Sequence, residues 1–114
     1  MEHYIYIFVR EDLGPVTAAV QSCHAAIECS SVFSLKDLPR HPAVIILGIK
    51  NECKLRRVCN YLVENNIQYV GFQEPDRDDE LTAVATQPIT GSDRDIFKKY
   101  QLLKYQLLGS NNKI

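Results

Sequence analysis

Ala43-Val44-Ile45-Ile46-Leu47-Gly48-Ile49 is an unbroken apolar run. A strand with apolar residues on both faces needs cover on both faces. That points to a parallel or mixed sheet held between helices, not an antiparallel sheet with one wet side. Tyr4-Ile5-Tyr6-Ile7-Phe8-Val9-Arg10 is a second, β-branched and aromatic run and predicts another buried strand. Between them, Glu11-Asp12-Leu13-Gly14-Pro15 breaks the first strand. Pro15 suits a first helical turn, where its missing amide hydrogen would go unpaired anyway. Ala18, Ala19, Val20, Ala25, Ala26 and Ile27 then predict a helix to about Phe33, with enough alanine to pack closely on a sheet. A chain of 114 residues holds one domain and one hydrophobic core, with no need of a metal or disulfide to fold.

Leu35 to Pro42 reads as a loop stopped by Pro39 and Pro42. After the apolar strand, Asn51 is a plausible helix N-cap. Leu55, Val58, Cys59 and Leu62 recur at helical spacing on one face, with Lys54, Arg56, Arg57 and Glu64 mostly outside it. Asn65-Asn66 can end that helix through a left-handed residue. Ile67 to Gln73 predicts a third strand, Glu74 to Glu80 a polar connection, and Leu81 to Gln87 a fourth strand. Ser92 can cap a last helix from Asp93 to about Leu103, with Ile96, Tyr100 and Leu103 inward and Asp93 and Asp95 suited to its dipole. Gly109 to Ile114 reads as a frayed tail. The order β-α-β-α-β-β-α predicts an α/β fold of three layers, with a four-stranded mixed sheet between helices. In open sheets of this kind ligands sit beyond the carboxyl ends of strands, here Arg10-Glu11-Asp12, Lys50-Asn51 and Gln73-Glu74.

The charge count, 13 basic against 14 acidic, argues against a protein that coats nucleic acid through net charge, and leaves room for a local basic patch. No apolar stretch approaches the ~20 residues that span a bilayer, so no membrane partner is expected. Met1-Glu2-His3-Tyr4 predicts no signal peptide. Cys23, Cys29, Cys53 and Cys59 are then expected as reduced thiols in a cytoplasmic protein. They form no C-x-x-C pair, and a zinc site is not expected. Cys23 beside His24 makes a poor nucleophile and base, because helix neighbours point about 100° apart.

Gln21 and His24 lie three residues apart on the first helix and share a face. They read either as a pair lining a pocket or as boundary residues bonded to backbone or water. The run Glu74, Asp76, Asp78, Asp79, Glu80 lacks the glycine and the ligand spacing of a calcium loop, and Asp76 to Glu80 reads as a solvated turn. Glu74 differs: it abuts the third strand, where a carboxylate can orient water or act as a general base. Lys54, Arg56 and Arg57, with Arg94, Lys98, Lys99 and Lys104, would make a phosphate track if they lay on the side of Gln21 and His24. Tyr69, Tyr100 and Tyr105 read as packing residues or as base-stacking ones.

Ile7-Phe8-Val9-Arg10-Glu11-Asp12-Leu13, with Ala18-Ala19-Val20-Gln21-Ser22-Cys23-His24-Ala25-Ala26, resembles the opening of type-2 peptidyl-tRNA hydrolases. Gln73-Glu74-Pro75 and Thr82 to Pro88 resemble the family's third and fourth strands, and Phe97 to Lys104 the ending of its diverged, domain-containing branch. The likeness spans about residues 4 to 104. It implies a four-stranded mixed sheet, a homodimer, no cofactor or metal, and hydrolysis of the ester joining a peptide to tRNA. It assigns Gln21 and His24 to the helix motif, where they hold carbonyl or ribose, and Glu74 to positioning water. Arg10 and Asp12 would shape the pocket, and Lys98 and Lys99 would meet tRNA phosphates. Thr17 stands where the family carries a loop lysine, and a hydroxyl is a weaker electrophilic donor than an ammonium. The same likeness therefore also accommodates a weak or inactive module on this fold that binds tRNA or another protein.

Overall fold

In a computed structural model, which describes residues 2–104, the strand Tyr4–Arg10 (β1) lies inside a four-stranded sheet. Ala43–Ile49 (β2) pairs parallel to it on one side, and Glu80–Thr86 (β4) antiparallel on the other. Tyr69–Glu74 (β3) pairs antiparallel to β4 at the far edge, so the order is β2-β1-β4-β3. The helix Pro15–Val32 (α1) packs across β4, β3 and β1, and Glu52–Glu64 (α2) covers the opposite face. This is the mixed α/β/α sandwich that the two apolar runs predict.

Side-chain alternation along β1 divides the core. Ile5, Ile7 and Val9 pack with Ala18, Ala25 and Cys29 of α1, whereas Tyr6 and Phe8 pack with Leu55, Val58 and Leu62 of α2. Apart from Gln21, the buried residues of α1 are small (Ala18, Ser22, Ala25, Cys29), which lets the helix lie close on the sheet. The two polar groups among these small residues are bonded: Ser22 Oγ donates to Ala18 O at 2.8 Å and Cys29 Sγ to Thr86 O at 3.3 Å. Burial pushes the Cys29 thiol up to about 11. Asn51 caps α2 by accepting from the Lys54 amide at 3.0 Å, and Asn66 takes the left-handed conformation (φ 59°) just after the helix, both as the sequence predicts.

Two expectations are overturned. The chain from Asp93 to Leu103 is not a helix. Gly91–Phe97 is a 3-10 segment, after which residues 101–103 lie against the outer edge of β2. The Gly48 amide donates to Gln101 O at 3.0 Å and the Leu103 amide to Ile46 O at 3.0 Å. A helix there would leave those edge groups of β2 unpaired, a cost no local periodicity reveals. Leu103 is buried as expected, and Phe97 stacks on Tyr6 with ring centroids 4.0 Å apart. Glu11 helps hold the strip, its carboxylate accepting from the Lys104 amide at 3.0 Å. Gly48 makes room for Glu11, since a Cβ there would run into that carboxylate.

Secondly, β2 is an edge strand and is not covered on both faces. Val44 is 55% exposed, because α1 sits over the other three strands. An apolar groove of about 450 Å³ remains between α1 and β2, walled by residues such as Ala19, Cys23, Val44 and Ile46. The tail from Gly109 and Tyr105 lie outside the described residues. Among the described residues no helix is long and apolar enough to cross a membrane.

Candidate functional site

Thr17, Gln21 and His24 follow one another at helical spacing along α1, and Gln21 and His24 meet residues of β3. Gln21 is buried, and its amide bridges two strands. Nε2 donates to Glu74 Oε1 at 3.0 Å, and Oε1 accepts from Thr82 Oγ1 at 2.7 Å. The direction of each bond follows from chemistry: a carboxylate can only accept, so the amide nitrogen must face Glu74 and the amide oxygen must face Thr82. Thr82 thus fixes Gln21, and Gln21 fixes Glu74. The Glu74 oxygen that Gln21 does not hold, Oε2, meets no partner among the described residues.

Thr82 reaches Gln21 because β4 is irregular there. Phe72 pairs with Ala83 but Gln73 pairs with Leu81, so Thr82 is an extra residue outside the register, its hydroxyl also 3.3 Å from the Phe72 carbonyl. Such a bulge turns the strand and re-aims a side chain. Leu81 joins Val84 in the core beneath α2, and Thr82 turns to α1. No sequence reading singled out Thr82 as a site residue. Its only signal is a hydroxyl in an otherwise apolar strand, and that signal is shared with Thr86, which instead accepts from the Tyr6 amide at 3.1 Å. Replacing Thr82 with valine keeps the shape and leaves the buried Gln21 oxygen without its donor. It is expected to lower stability by about 1–3 kcal/mol in urea unfolding. An unchanged midpoint would show that the hydroxyl does not hold the amide.

His24 stacks on Phe72, with ring centroids 4.4 Å apart and planes 5° from parallel. Stacking fixes the ring plane and leaves its edge open. Among the described residues no hydrogen-bond partner meets its nitrogens, so backbone does not hold it. Thr17 is half-buried one turn before Gln21. At four residues, or about 6 Å of helix rise, it shares the face without being tied to the cluster.

Arg10 and Asp12 sit at the carboxyl end of β1, engaged with each other. Arg10 is buried, and donates through Nε and Nη2 to the two Asp12 oxygens at 3.0 and 2.9 Å. Its Nη1 donates to Glu80 Oε1 at 2.8 Å and to Leu81 O at 3.2 Å. The Asp12 bonds hold the guanidinium well above the ordinary arginine value, and Arg10 in turn holds Asp12 below the ordinary carboxylate range. These two residues therefore form a clamp between β1 and β4. Glu52, from the first turn of α2, adds to it by accepting from the Leu81 amide at 2.9 Å.

The basic residues fall elsewhere. Lys98 pairs with Asp95 at 3.0 Å, both side chains mostly exposed. Lys99 lies over the Tyr61 ring, 3.6 Å from its centroid, beside Lys54 and Arg57 of α2. Lys54, Arg57 and Lys99 are on the α2 side of the sheet, and Gln21 and His24 are on the α1 side, so these residues do not form one continuous track past both. Asp76, Asp78 and Asp79 are exposed around the turn, with Asp78 and Asp79 in left-handed conformation. Among the described residues no three His, Cys, Asp or Glu side chains converge as metal ligands would.

The arrangement can therefore hold one carboxylate oxygen rigidly while its second oxygen, and an imidazole edge, face outward. No protein-family model matches the chain, and no curated protein matches it.

Proposed function

We propose that this protein hydrolyses the ester between a peptidyl group and tRNA, as a diverged member of the type-2 peptidyl-tRNA hydrolases. The observation that carries the reading is the 3.0 Å bond from Gln21 to Glu74. Two residues 53 positions apart, which the likeness assigns to one site, meet there with His24 alongside.

The chemistry follows from the carboxylate. Glu74 Oε2 accepts a hydrogen bond from water and takes its proton as the water oxygen attacks the ester carbonyl carbon. The tetrahedral intermediate collapses with cleavage of the bond to the ribose oxygen, which leaves with the proton that Glu74 took from water. Gln21 is a positioning residue, since it is buried with its amide bonded to Glu74 and Thr82. His24 presents its ring edge to the ribose or the carbonyl. Thr17 offers a neutral hydroxyl to the developing oxyanion, which supports slow turnover compared with an enzyme that places a cation there. Arg10 acts behind the site through the clamp. The free thiols suit a cytoplasmic setting, where translation supplies such esters.

The test is release of N-acetylated amino acid from charged tRNA by the purified chain. Release well above the spontaneous rate is the expected result. Spontaneous-rate release from folded protein overturns the hydrolase reading. If tRNA is still bound in that case, the second reading stands: a tRNA-binding module, favoured by Thr17 in place of a lysine.

A further inference from the structure

On the α2 side of the sheet an open groove of about 580 Å³ runs between α2 and the end of β2. It is lined by Lys50 just after β2, by Lys54 and Arg57 of α2, and by Lys99. Lys54 and Arg57 are three residues apart and project on one helix face. Neighbouring cations are neutralised: Arg56 pairs with Glu52 and Lys98 with Asp95. Among the described residues Lys50, Lys54 and Arg57 have no acidic partner, and Glu64 is the one acid of the groove. Lys99 is held in place by the Tyr61 ring. Burial raises the Tyr100 phenol to about 12, so it adds no negative charge there.

Four cations against one carboxylate, on a chain of net charge -1, is a strong local concentration. Their mutual repulsion is offset by an anionic ligand. Its lining runs along α2 from Lys54 to Glu64, about 15 Å at the helical rise, which suits an extended polyanion better than a compact one. Lys50 follows β2 at the same sheet edge on which Glu74 ends β3. The two are three strand spacings apart, roughly 14 Å. An RNA held in the groove on the α2 face would turn round that end of the sheet to reach Glu74 on the α1 face.

We propose that this groove binds the phosphodiester backbone of RNA, with Lys50, Lys54, Arg57 and Lys99 as its phosphate contacts. The choice of RNA over other polyanions rests on the hydrolase reading; the groove itself needs no chemistry at Glu74.

The experiment is fluorescence anisotropy of labelled, deacylated tRNA over a salt series, with the whole chain. Lys54→Glu/Arg57→Glu is compared with Lys36→Glu/Arg40→Glu, a charge-matched pair of exposed residues outside the groove. The groove pair is expected to weaken binding about tenfold or more and to flatten the dependence of log affinity on log salt by about one per lost contact. The control pair is expected to leave that slope unchanged. Equal effects of the two pairs, or a salt-independent affinity, overturn the proposal. Displacement of tRNA by inorganic tripolyphosphate as readily as by unlabelled tRNA also overturns it, because the site would then be one for a compact anion. The two readings fail separately. Binding through the groove without ester release removes the hydrolase and keeps the groove. Ester release with an unchanged KM in the groove pair does the reverse.

Discussion

Glu74→Gln is expected to lower kcat for ester release by about 10²–10³-fold, within the range for loss of a general base. The substitution is close to isosteric. Its amide oxygen can still accept from Gln21 Nε2, so the bridge through Thr82, Gln21 and position 74 survives. What disappears is the ability to take a proton from water. The signature is therefore a fall in kcat with little change in KM or in the unfolding midpoint. Gln21→Leu gives the complementary result: the carboxylate stays but loses its orientation, so kcat falls less. Turnover in Glu74→Gln equal to that of the unaltered protein would remove Glu74 from the chemistry.

Arg10→Met is expected to destabilise the fold by about 2–4 kcal/mol. One buried guanidinium ties the end of β1 to Asp12, to Glu80 and to the Leu81 carbonyl. Methionine refills much of the stem's volume and none of its bonds. The loss stops short of the full cost of breaking a buried pair, because the Asp12 and Glu80 side chains are 40% and 37% exposed and rehydrate. The clamp also gives an acid dependence. Asp12 titrates below its ordinary value of 3.8 in the folded chain, so its contribution is complete above that pH and fades as the pH falls through the lower, folded value. Arg10→Met should therefore flatten the stability curve below about pH 4 as well as lower it near neutrality. Urea unfolding at several pH values reads both effects. A difference from the parent under about 1 kcal/mol at neutral pH would show that solvent screens the clamp.

The elements that read well from sequence are those whose causes are local. Pro15 and Asn51 place the helix starts, and Leu55, Val58 and Leu62 give the buried face of α2. The misreadings come from long-range pairing. Ile96, Tyr100 and Leu103 have helical spacing, yet this stretch holds a 3-10 turn and an edge strip because β2 needs partners far away in sequence. Ala43 to Ile49 looks doubly covered, but which strand lies at the edge depends on how α1 is placed across the whole sheet. The site was legible in residue type, as Gln21, His24 and Glu74, through a likeness of motifs. Its geometry was not, because Thr82 enters only through the register slip at Phe72 and Gln73. The convergence of Lys54, Arg57 and Lys99 was equally hidden, since two elements distant in sequence must meet to form it.

The bond from Cys29 to the Thr86 carbonyl lies at the contact between α1 and β4, and it sets the buried Cys29 apart from the exposed Cys23 and Cys53, with Cys59 in between. Cys23 and Cys53 face solvent, so an alkylating reagent reaches them whether or not the sandwich is intact. Cys29 is shielded and held protonated, and the thiolate is the form that reacts. Its labelling therefore waits on the separation of α1 from the sheet. The chain carries an internal clock for the opening of the layer that bears Gln21, in the rate at which one cysteine becomes modified.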